Sequence, residues 1–253
     1  MSLPDSSILT KIQFAGHEDP GNSFFEKQYI GIRGMENRLY SDREVLLLPD
    51  IPPGHTHYFE WMLRKRSSEK LAAYLADKKK RLDILEVGCG NGWLSHGLSR
   101  IPGSNVTGID INFTELQQAA RVFHEAGHLR FIYGDLRSGV LQNRQFDIIV
   151  FASAIQYFRS LSGILNQCLN HLSTGGEIHI IDSPLYQPAE IAAARKRTAD
   201  YYDSLGYPEM NDYYFHHDLN ELQRFQHKLL RDPGSLMNRI RGKGGFYWVC
   251  IKK

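Results

Sequence analysis

The 253-residue chain is short of cysteine, of net charge and of long apolar runs. Its three cysteines, Cys89, Cys168 and Cys250, lie far apart and form no C-x-x-C pair. Such spacing argues against a disulfide framework or a zinc site and suits a reducing compartment. A formal net charge of +2 gives no broad pull toward nucleic acid. Of two basic clusters, at 64–66 and 77–81, the second closes an expected helix, where cations complement the dipole. No window approaches the ~18 apolar residues of a membrane span. The opening MSLPDSSILTKIQF lacks the apolar stretch of a secretory signal. Internal repeats and low-complexity segments are absent too. What is left is an ordinary globular composition, 42% hydrophobic and 23% charged. A cytoplasmic protein is expected, with neither nucleic acid nor membrane as partner.

What the chain does contain is alternation. Residues 1–57, rich in Gly, Pro, Asp and aromatics, read as an irregular N-terminal cap or lid, and 58–253 as the main domain. Apolar residues at helical spacing predict a helix from Tyr58 to about Lys80. Five short runs then read as buried strands: LDILEV (82–87), NVTGIDI (105–111), LRFIYGD (129–135), FDIIVFAS (146–153) and EIHIIDS (177–183). The intervening stretches WLSHGLSR, FTELQQAARVFHEAG and SLSGILNQCLNHLSTGG read as helices. Strands alternating with helices predict an α/β fold with a parallel sheet flanked by helices. A cap insertion at about 184–245 follows. It opens with a long helix, which Pro188 suits at its first turn and Gly206 stops. LNELQRF predicts a short helix, and the terminal GGFYWVCIKK a last strand.

The chemistry concentrates where the first strand of the alternation meets its helix. Gly88, Gly90 and Gly92 form G-x-G-x-G, a pattern that permits positive φ and lets a ligand rest on bare backbone. The free N–H groups of the helix starting at about Trp93 point to the same place. Asp110 ends the next strand, close to the ~20-residue interval expected for an acid that holds ribose hydroxyls. An adenine nucleoside derivative is therefore expected. Three details favour S-adenosylmethionine over a nicotinamide dinucleotide. The third glycine of the dinucleotide fingerprint would fall on the bulky Trp93. Glu86, just before the turn, can order the loop and lie near a cationic ligand. Asp135 and Leu136, after the third strand, offer an acceptor for the adenine amino group and an apolar contact for the ring.

Taken together, EVGCGNG (86–92), GIDIN, GDL, FDIIVFASAIQYF and LSTGGEIHIID resemble a class I S-adenosylmethionine-dependent methyltransferase of the small-molecule, methyltransferase-11-like type. The similarity covers about residues 60–183 in order and spacing. It implies a Rossmann-like seven-stranded sheet, mostly parallel with the last strand antiparallel. It implies S-adenosylmethionine as cofactor, with Glu86, Gly88, Cys89, Gly90 and Gly92 around the methionine moiety. Asp110 would bind the ribose, Asp135 with Leu136 the adenine, and Ile111 would also contact the cofactor. Ser153, at the end of the fourth strand of the run, would lie near the reacting methyl. The implied reaction is an in-line displacement at the methyl carbon, in which proximity and alignment supply much of the rate.

The acceptor side is less determined. DSPLY (182–186) is similar to the D-P-P-Y signature of enzymes that methylate base amino groups, yet Leu185 replaces the second proline and the stretch follows the wrong strand. A small-molecule acceptor is expected instead, with O- or N-methylation ahead of C-methylation. Its walls would come from Tyr157, Tyr186, Tyr213 and Tyr214, since aromatic-rich caps suit small, partly apolar ligands. Arg33, Glu36, Arg38 and Tyr40 are candidates for a lid, although a solvated loop is the plainer account of them. If a base is needed, His216 or His217 is the candidate. Cys89 reads as a small filler rather than a nucleophile, and the histidines at 55–57 and 216–217 form no metal-ligand set. Basic residues at 237–243 read as polar surface. The alternative function is a catalytically inactive protein that binds S-adenosylmethionine or S-adenosylhomocysteine as a regulator or partner. No sequence feature speaks to oligomeric state.

Overall fold

The computed structural model describes residues 12–14, 23–235 and 245–253; the basic stretch at 237–243 lies outside the described residues. The chain divides into two compact units, one of residues 1–21 with 40–146, the other of 22–39 with 147–253. In chain order the elements are β1 (Ile12–Phe14), α1 (Phe24–Met35), α2 (Asp42–Leu47), α3 (Tyr58–Ala76), β2 (Leu82–Val87), α4 (Trp93–Ser99), β3 (Ser104–Asp110), α5 (Phe113–Val122), β4 (Leu129–Tyr133), β5 (Phe146–Ala152), α6 (Leu161–Asn170), β6 (Leu172–Ile181), α7 (Pro188–Leu205), β7 (His227–Arg231) and β8 (Trp248–Lys252). Among the described residues there are eight strands, where the resemblance implies seven. Alternation of strand and helix, mostly parallel pairing and an antiparallel last strand are all present.

In the first unit the strand order is β1-β4-β3-β2, and every pairing is parallel. Strand β2 is buried at all but its second position, as an apolar run in a parallel sheet should be. Its register on β3 sets Glu86 beside Gly108 and Val87 beside Ile109. Helix α5 starts at Asn112, whose side chain accepts the Glu115 N–H at 3.1 Å, a cap worth about 1 kcal/mol. It buries Leu116, Ala119 and Ala120 on one face. Residues 1–57 are less irregular than their composition suggests. Ser41 and Glu44 close a capping box on α2. Gln118 and Arg121 of α5 then hold Asp42. The core packs Val45, Trp61, Leu116, Phe123 and Phe131 around Cys89.

In the second unit the order is β5-β6-β8-β7, with β8 antiparallel to both β6 and β7. Strand β6 begins at Leu172, earlier than expected, because the helix predicted through Gly176 stops at Asn170. The polar Ser173–Thr174–Gly175 carries no strand-like alternation, and Gly175 takes the left-handed conformation (φ 74°). A Cβ at Gly176 would sit 2.9 Å from the Asp147 carbonyl, so this position accepts no side chain. Helix α7 has Pro188 in its first turn and ends at Gly206 in the left-handed conformation (φ 78°). Leu219–Arg224 forms a 3-10 turn rather than a helix, and β7 lies within the stretch read as insertion. No helix among the described residues is long and apolar enough to cross a membrane.

Candidate binding sites for a cofactor and an acceptor

The turn after β2 is built from backbone geometry that only glycine adopts without strain. Gly88, Gly90 and Gly92 have φ of 75°, 52° and 76°. The N–H groups of Gly88 and Cys89 donate to the Ile109 carbonyl at 2.9 and 3.3 Å, which docks the turn on the end of β3. Asp110 then braces the loop. Its Oδ2 accepts the Gly90 N–H at 2.7 Å and its Oδ1 the Asn112 N–H at 2.8 Å. Each carboxylate oxygen can accept more than one hydrogen bond, so the brace is compatible with ribose hydroxyls. Ile111, the next residue, is 41% exposed and presents an apolar face beside that carboxylate. The three glycines do different jobs. A Cβ at Gly92 would stand 2.7 Å from Phe131 and 2.9 Å from Ala119, so this glycine serves helix-to-sheet packing. At Gly90 the neighbour is the Glu115 carboxylate, 3.1 Å away.

Glu86 does not reach the loop N–H groups that Asp110 holds. It is 2% exposed and its Oε2 accepts the Ser95 hydroxyl of α4 at 2.5 Å, which fixes the helix start. Gly108 makes room for this arrangement, since a Cβ there would meet Cys89 Sγ at 2.8 Å and Ser95 Oγ at 2.9 Å. Gly108 opens the GIDIN stretch, but its packing role follows from the β2–β3 register. Burial pushes the Glu86 carboxyl up to about 8, with the Asp110 charge adding to the shift and the Ser95 hydrogen bond opposing it. The unfolded chain ionises this group near 4.5, so the folded state must hold its proton as pH rises from there to about 8. Glu86 thus costs stability across that window, at up to about 1.4 kcal/mol per pH unit. Glu86→Gln keeps an acceptor for Ser95 and is expected to flatten the decline. Thermal midpoints at pH 5.5 and 8 check it; equal declines in both proteins would remove the assignment.

Cys89 is 3% exposed, and burial drives its thiol well above the usual range, which rules out an activated nucleophile. Asp135 caps the turn Leu136–Ser138 through the Arg137 N–H at 2.6 Å, and Arg137 Nη2 donates to its Oδ2 at 2.7 Å. Arg137 is itself 76% exposed, and each Asp135 oxygen can accept a further hydrogen bond beside those it holds. Leu136 is buried. Tyr40 is anchored near the start of α3. Its hydroxyl accepts Trp61 Nε1–H at 2.8 Å, and Trp61 meets Trp93 edge-to-face at 5.2 Å. Arg33, Glu36 and Arg38, in the second unit, form an ion-pair chain with Glu36 at its centre.

The second unit gathers the acceptor candidates. Tyr157 meets Phe25, Tyr29 and Tyr214 edge-on, with centroids 5.8, 5.7 and 5.8 Å away. Tyr213 lies 5.4 Å from Phe25, and Tyr186 lies 5.4 Å from His216. Phe25 and Tyr29, on a helix in the supposedly irregular region, carry no motif and escape sequence reasoning. Ser153, after β5, adopts φ 56°, strained for a non-glycine residue, and donates its N–H to the Ile181 carbonyl at 3.1 Å. A cavity of about 550 Å³ is lined by Arg159, Arg195, Tyr214, His216, His217 and Glu221, among others. The two histidines part company. His217 is 3% exposed with Nε2 donating to the Ile155 carbonyl at 3.0 Å, a tie that fixes its tautomer within the core. His216 faces Tyr186 and Tyr214, pairs with the Thr198 hydroxyl at 2.9 Å, and is held neutral chiefly by burial. One cluster was invisible in the sequence: Glu177, His179 and Cys250 bring ligand-type atoms within 4.8 Å of one another. His179 Nδ1 accepts from Trp248 Nε1 at 3.1 Å, so its Nε2 carries the proton and faces Glu177 at 3.3 Å. The hydrogen bond from His179 to Glu177, with Lys252 Nζ 3.7 Å from the other carboxyl oxygen, thus accounts for that cluster.

Residues 84–176 match the family model described as a methyltransferase domain. A malonyl-[acyl-carrier protein] O-methyltransferase of Acetivibrio thermocellus is 35% identical over 101 residues, 40% of this chain and 35% of that protein. A sterol 24-C-methyltransferase of Kluyveromyces lactis is 28% identical over 117 residues, 45% of this chain and 32% of that protein. The chain spans less than half the length of the curated relatives it matches. Among solved structures, the plantazolicin methyltransferase in complex with a pentazolic desmethylPZN analogue and SAH superposes with a TM-score of 0.57 at 17% identity, over 90% of this chain and 96% of that one. The magnesium protoporphyrin IX methyltransferase of Synechocystis PCC 6803 with bound SAH gives 0.55 at 15%, over 88% and 95%. At these identities the structural likeness speaks for the fold.

Proposed function

We propose, from the premise that residues 84–176 are a methyltransferase domain, that the chain transfers the methyl group of S-adenosylmethionine to a small-molecule acceptor. The observation that carries this reading is the β2–α4 turn, three left-handed glycines braced by the Asp110 carboxylate. Its residues fit the cofactor. Gly88 and Gly90 offer bare backbone to the methionine moiety, with the buried Glu86 carboxyl behind the turn. Asp110 accepts the ribose hydroxyls, and Asp135 with Leu136 serves the adenine. The solved neighbours that hold SAH support the same cofactor.

When bound, S-adenosylmethionine supplies a methyl group already activated by its sulfonium. The chain's part is to bind, orient and exclude water, and alignment of this kind lowers barriers substantially. No protein nucleophile is required, in keeping with the buried thiol of Cys89. The related enzymes named above differ in acceptor, so their names do not select one here. We assign the acceptor side to Tyr157, Tyr186, Tyr213 and Tyr214, with parts of residues 1–57 and of the 184–245 insertion as cap. Calorimetric titration with S-adenosylmethionine, S-adenosylhomocysteine and NAD tests the cofactor. Binding of the two sulfur nucleosides alone is expected; binding of NAD alone would overturn the reading.

A further inference from the structure

The cavity of about 550 Å³ in the second unit is lined by two guanidinium side chains from separate segments, Arg159 and Arg195. Neither is ion-paired with a carboxylate among the described residues. Arg159 follows the turn after β5 and lies over the Phe215 ring, 5.9 Å from its centroid. Arg195 stands on α7, and its charge reaches His216. Tyr214, Phe215, His216 and His217 form a wall that both arginines share. Three hydrogen bonds pin this wall. The Phe215 N–H donates to the Gln156 carbonyl at 2.7 Å and the His217 ring to the Ile155 carbonyl at 3.0 Å. Thr198 of α7 pairs with His216 at 2.9 Å. One acid, Glu221, lines the same cavity. Its Oε1 accepts the Asp218 N–H at 3.3 Å and so closes a capping box on its own turn.

Charge selects the ligand. Two guanidiniums and one carboxylate leave the lining with one net positive charge. The histidines add none near neutral pH: burial holds both below their usual range, and at His216 the Arg195 charge pushes the same way. A monoanion balances that charge, whereas a dianion exceeds it and is repelled by Glu221. Guanidiniums match the planar geometry of a carboxylate. Both arginines are exposed, so their long stems let the heads follow a ligand within the cavity they line. Tyr214 and Phe215 offer apolar surface to the rest of the molecule. We infer that this cavity binds a small carboxylate with an aromatic or apolar body, its acid end drawn to Arg159 and Arg195 and its body against Tyr214 and Phe215. The anion site stands without the methyl-transfer reading; that its ligand is the methyl acceptor rests on that reading, which places Tyr214 on the acceptor side. A short link joins the two. Gln156, whose carbonyl accepts the Phe215 N–H, donates from Nε2 to the carbonyl of Ser153 at 2.8 Å.

The test titrates phenylacetate, its neutral isostere phenylacetamide and the dianionic phenyl phosphate into the full chain by calorimetry at pH 7.5. Phenylacetate is expected to bind at least about fivefold more tightly than either, and less tightly as salt is added. Arg159→Gln and Arg195→Gln should each lower phenylacetate affinity about fivefold, a loss on the scale of exposed charge pairs, and leave phenylacetamide unchanged. Glu221→Gln keeps the cap acceptor, removes the like charge and should raise phenylacetate affinity about twofold. Lys196→Gln is the control, since Lys196 adjoins Arg195 in the chain, pairs with Asp200 and lies outside the cavity lining. Equal binding of acid and amide, or no phenylacetate binding at about 10 mM, would overturn the inference. So would an affinity unchanged by either arginine variant, an equal loss from Lys196→Gln, a fall with Glu221→Gln, or tighter binding of phenyl phosphate. S-adenosylhomocysteine titrated into the same proteins keeps the two readings apart. Normal binding of it without phenylacetate removes the anion site alone; phenylacetate binding without it removes the cofactor reading and leaves the anion site.

Discussion

Asp110→Ala is expected to weaken S-adenosylhomocysteine binding by about 100-fold. Two contributions act together. Hydrogen bonds from ribose hydroxyls to an ionised carboxylate contribute roughly 1.5–3 kcal/mol each, and losing one or two at that scale gives about two powers of ten. The substitution also releases the Gly90 and Asn112 N–H groups, which Asp110 now holds at 2.7 and 2.8 Å. The turn then enters the complex less ordered, and part of the ligand's binding energy goes into fixing it. Asp110→Asn separates the contributions, since it keeps one acceptor oxygen and loses the charge. It should fall between wild type and Asp110→Ala. Calorimetry on the three proteins gives the order directly. An affinity for Asp110→Ala within threefold of wild type would reduce Asp110 to a brace and move ribose recognition elsewhere.

The largest expected loss of stability is at Gly92. Gly92→Ala places a side chain at φ 76°, where an L-residue pays of order 1–2 kcal/mol. It also drives Cβ to 2.7 Å from the Phe131 ring and 2.9 Å from Ala119, contacts inside a packed core. Overpacking of this kind costs roughly 1–3 kcal/mol more. A total of about 3 kcal/mol or above is expected in urea unfolding. Phe131→Leu in the same chain should recover the steric share and leave the backbone share. Gly97→Ala is the control. That glycine lies in α4, and a Cβ added there would have nothing within 4 Å, so alanine should gain up to about 1 kcal/mol. Should Gly92→Ala and Gly97→Ala prove equally benign, the packing role of Gly92 is refuted.

The contrast between these glycines shows how far a motif can be read. G-x-G-x-G identifies a turn that needs left-handed backbone, and all three residues have it. The pattern does not say which glycine faces a ligand and which faces a neighbouring strand. Phe131 and Ala119 answer that for Gly92, and both come from elements that follow it in the chain. Carboxylates behave likewise. Glu86 and Asp110 are both legible as strand-end acids, yet the one that holds the loop is Asp110. Glu86 points into the protein and meets Ser95 instead. Pairing residue 86 with Gly108 and residue 87 with Ile109 decides the matter, and register is a long-range property.

By itself the sequence determined what depends on neighbours along the chain. Strand β2 is found at 82–87 as read, helix α7 begins at Pro188 and ends at Gly206, and Asp110 stands at a strand end. Apolar periodicity, capping and turn chemistry act over a few residues, so they are written locally. Tertiary structure alone decided the rest. Helix α1 lies in a stretch too polar and aromatic to announce itself, and its burial against Tyr202, Tyr213 and Tyr214 makes sense of its composition. His217, one of two adjacent histidines with the same apparent promise, is tied into the core by a carbonyl 62 residues away. Arg159 and Arg195 come to line one cavity only through folding. A hydrogen-bonding group has no fixed value until its partners and its access to water are known, and both are set by the three-dimensional arrangement of distant parts of the chain.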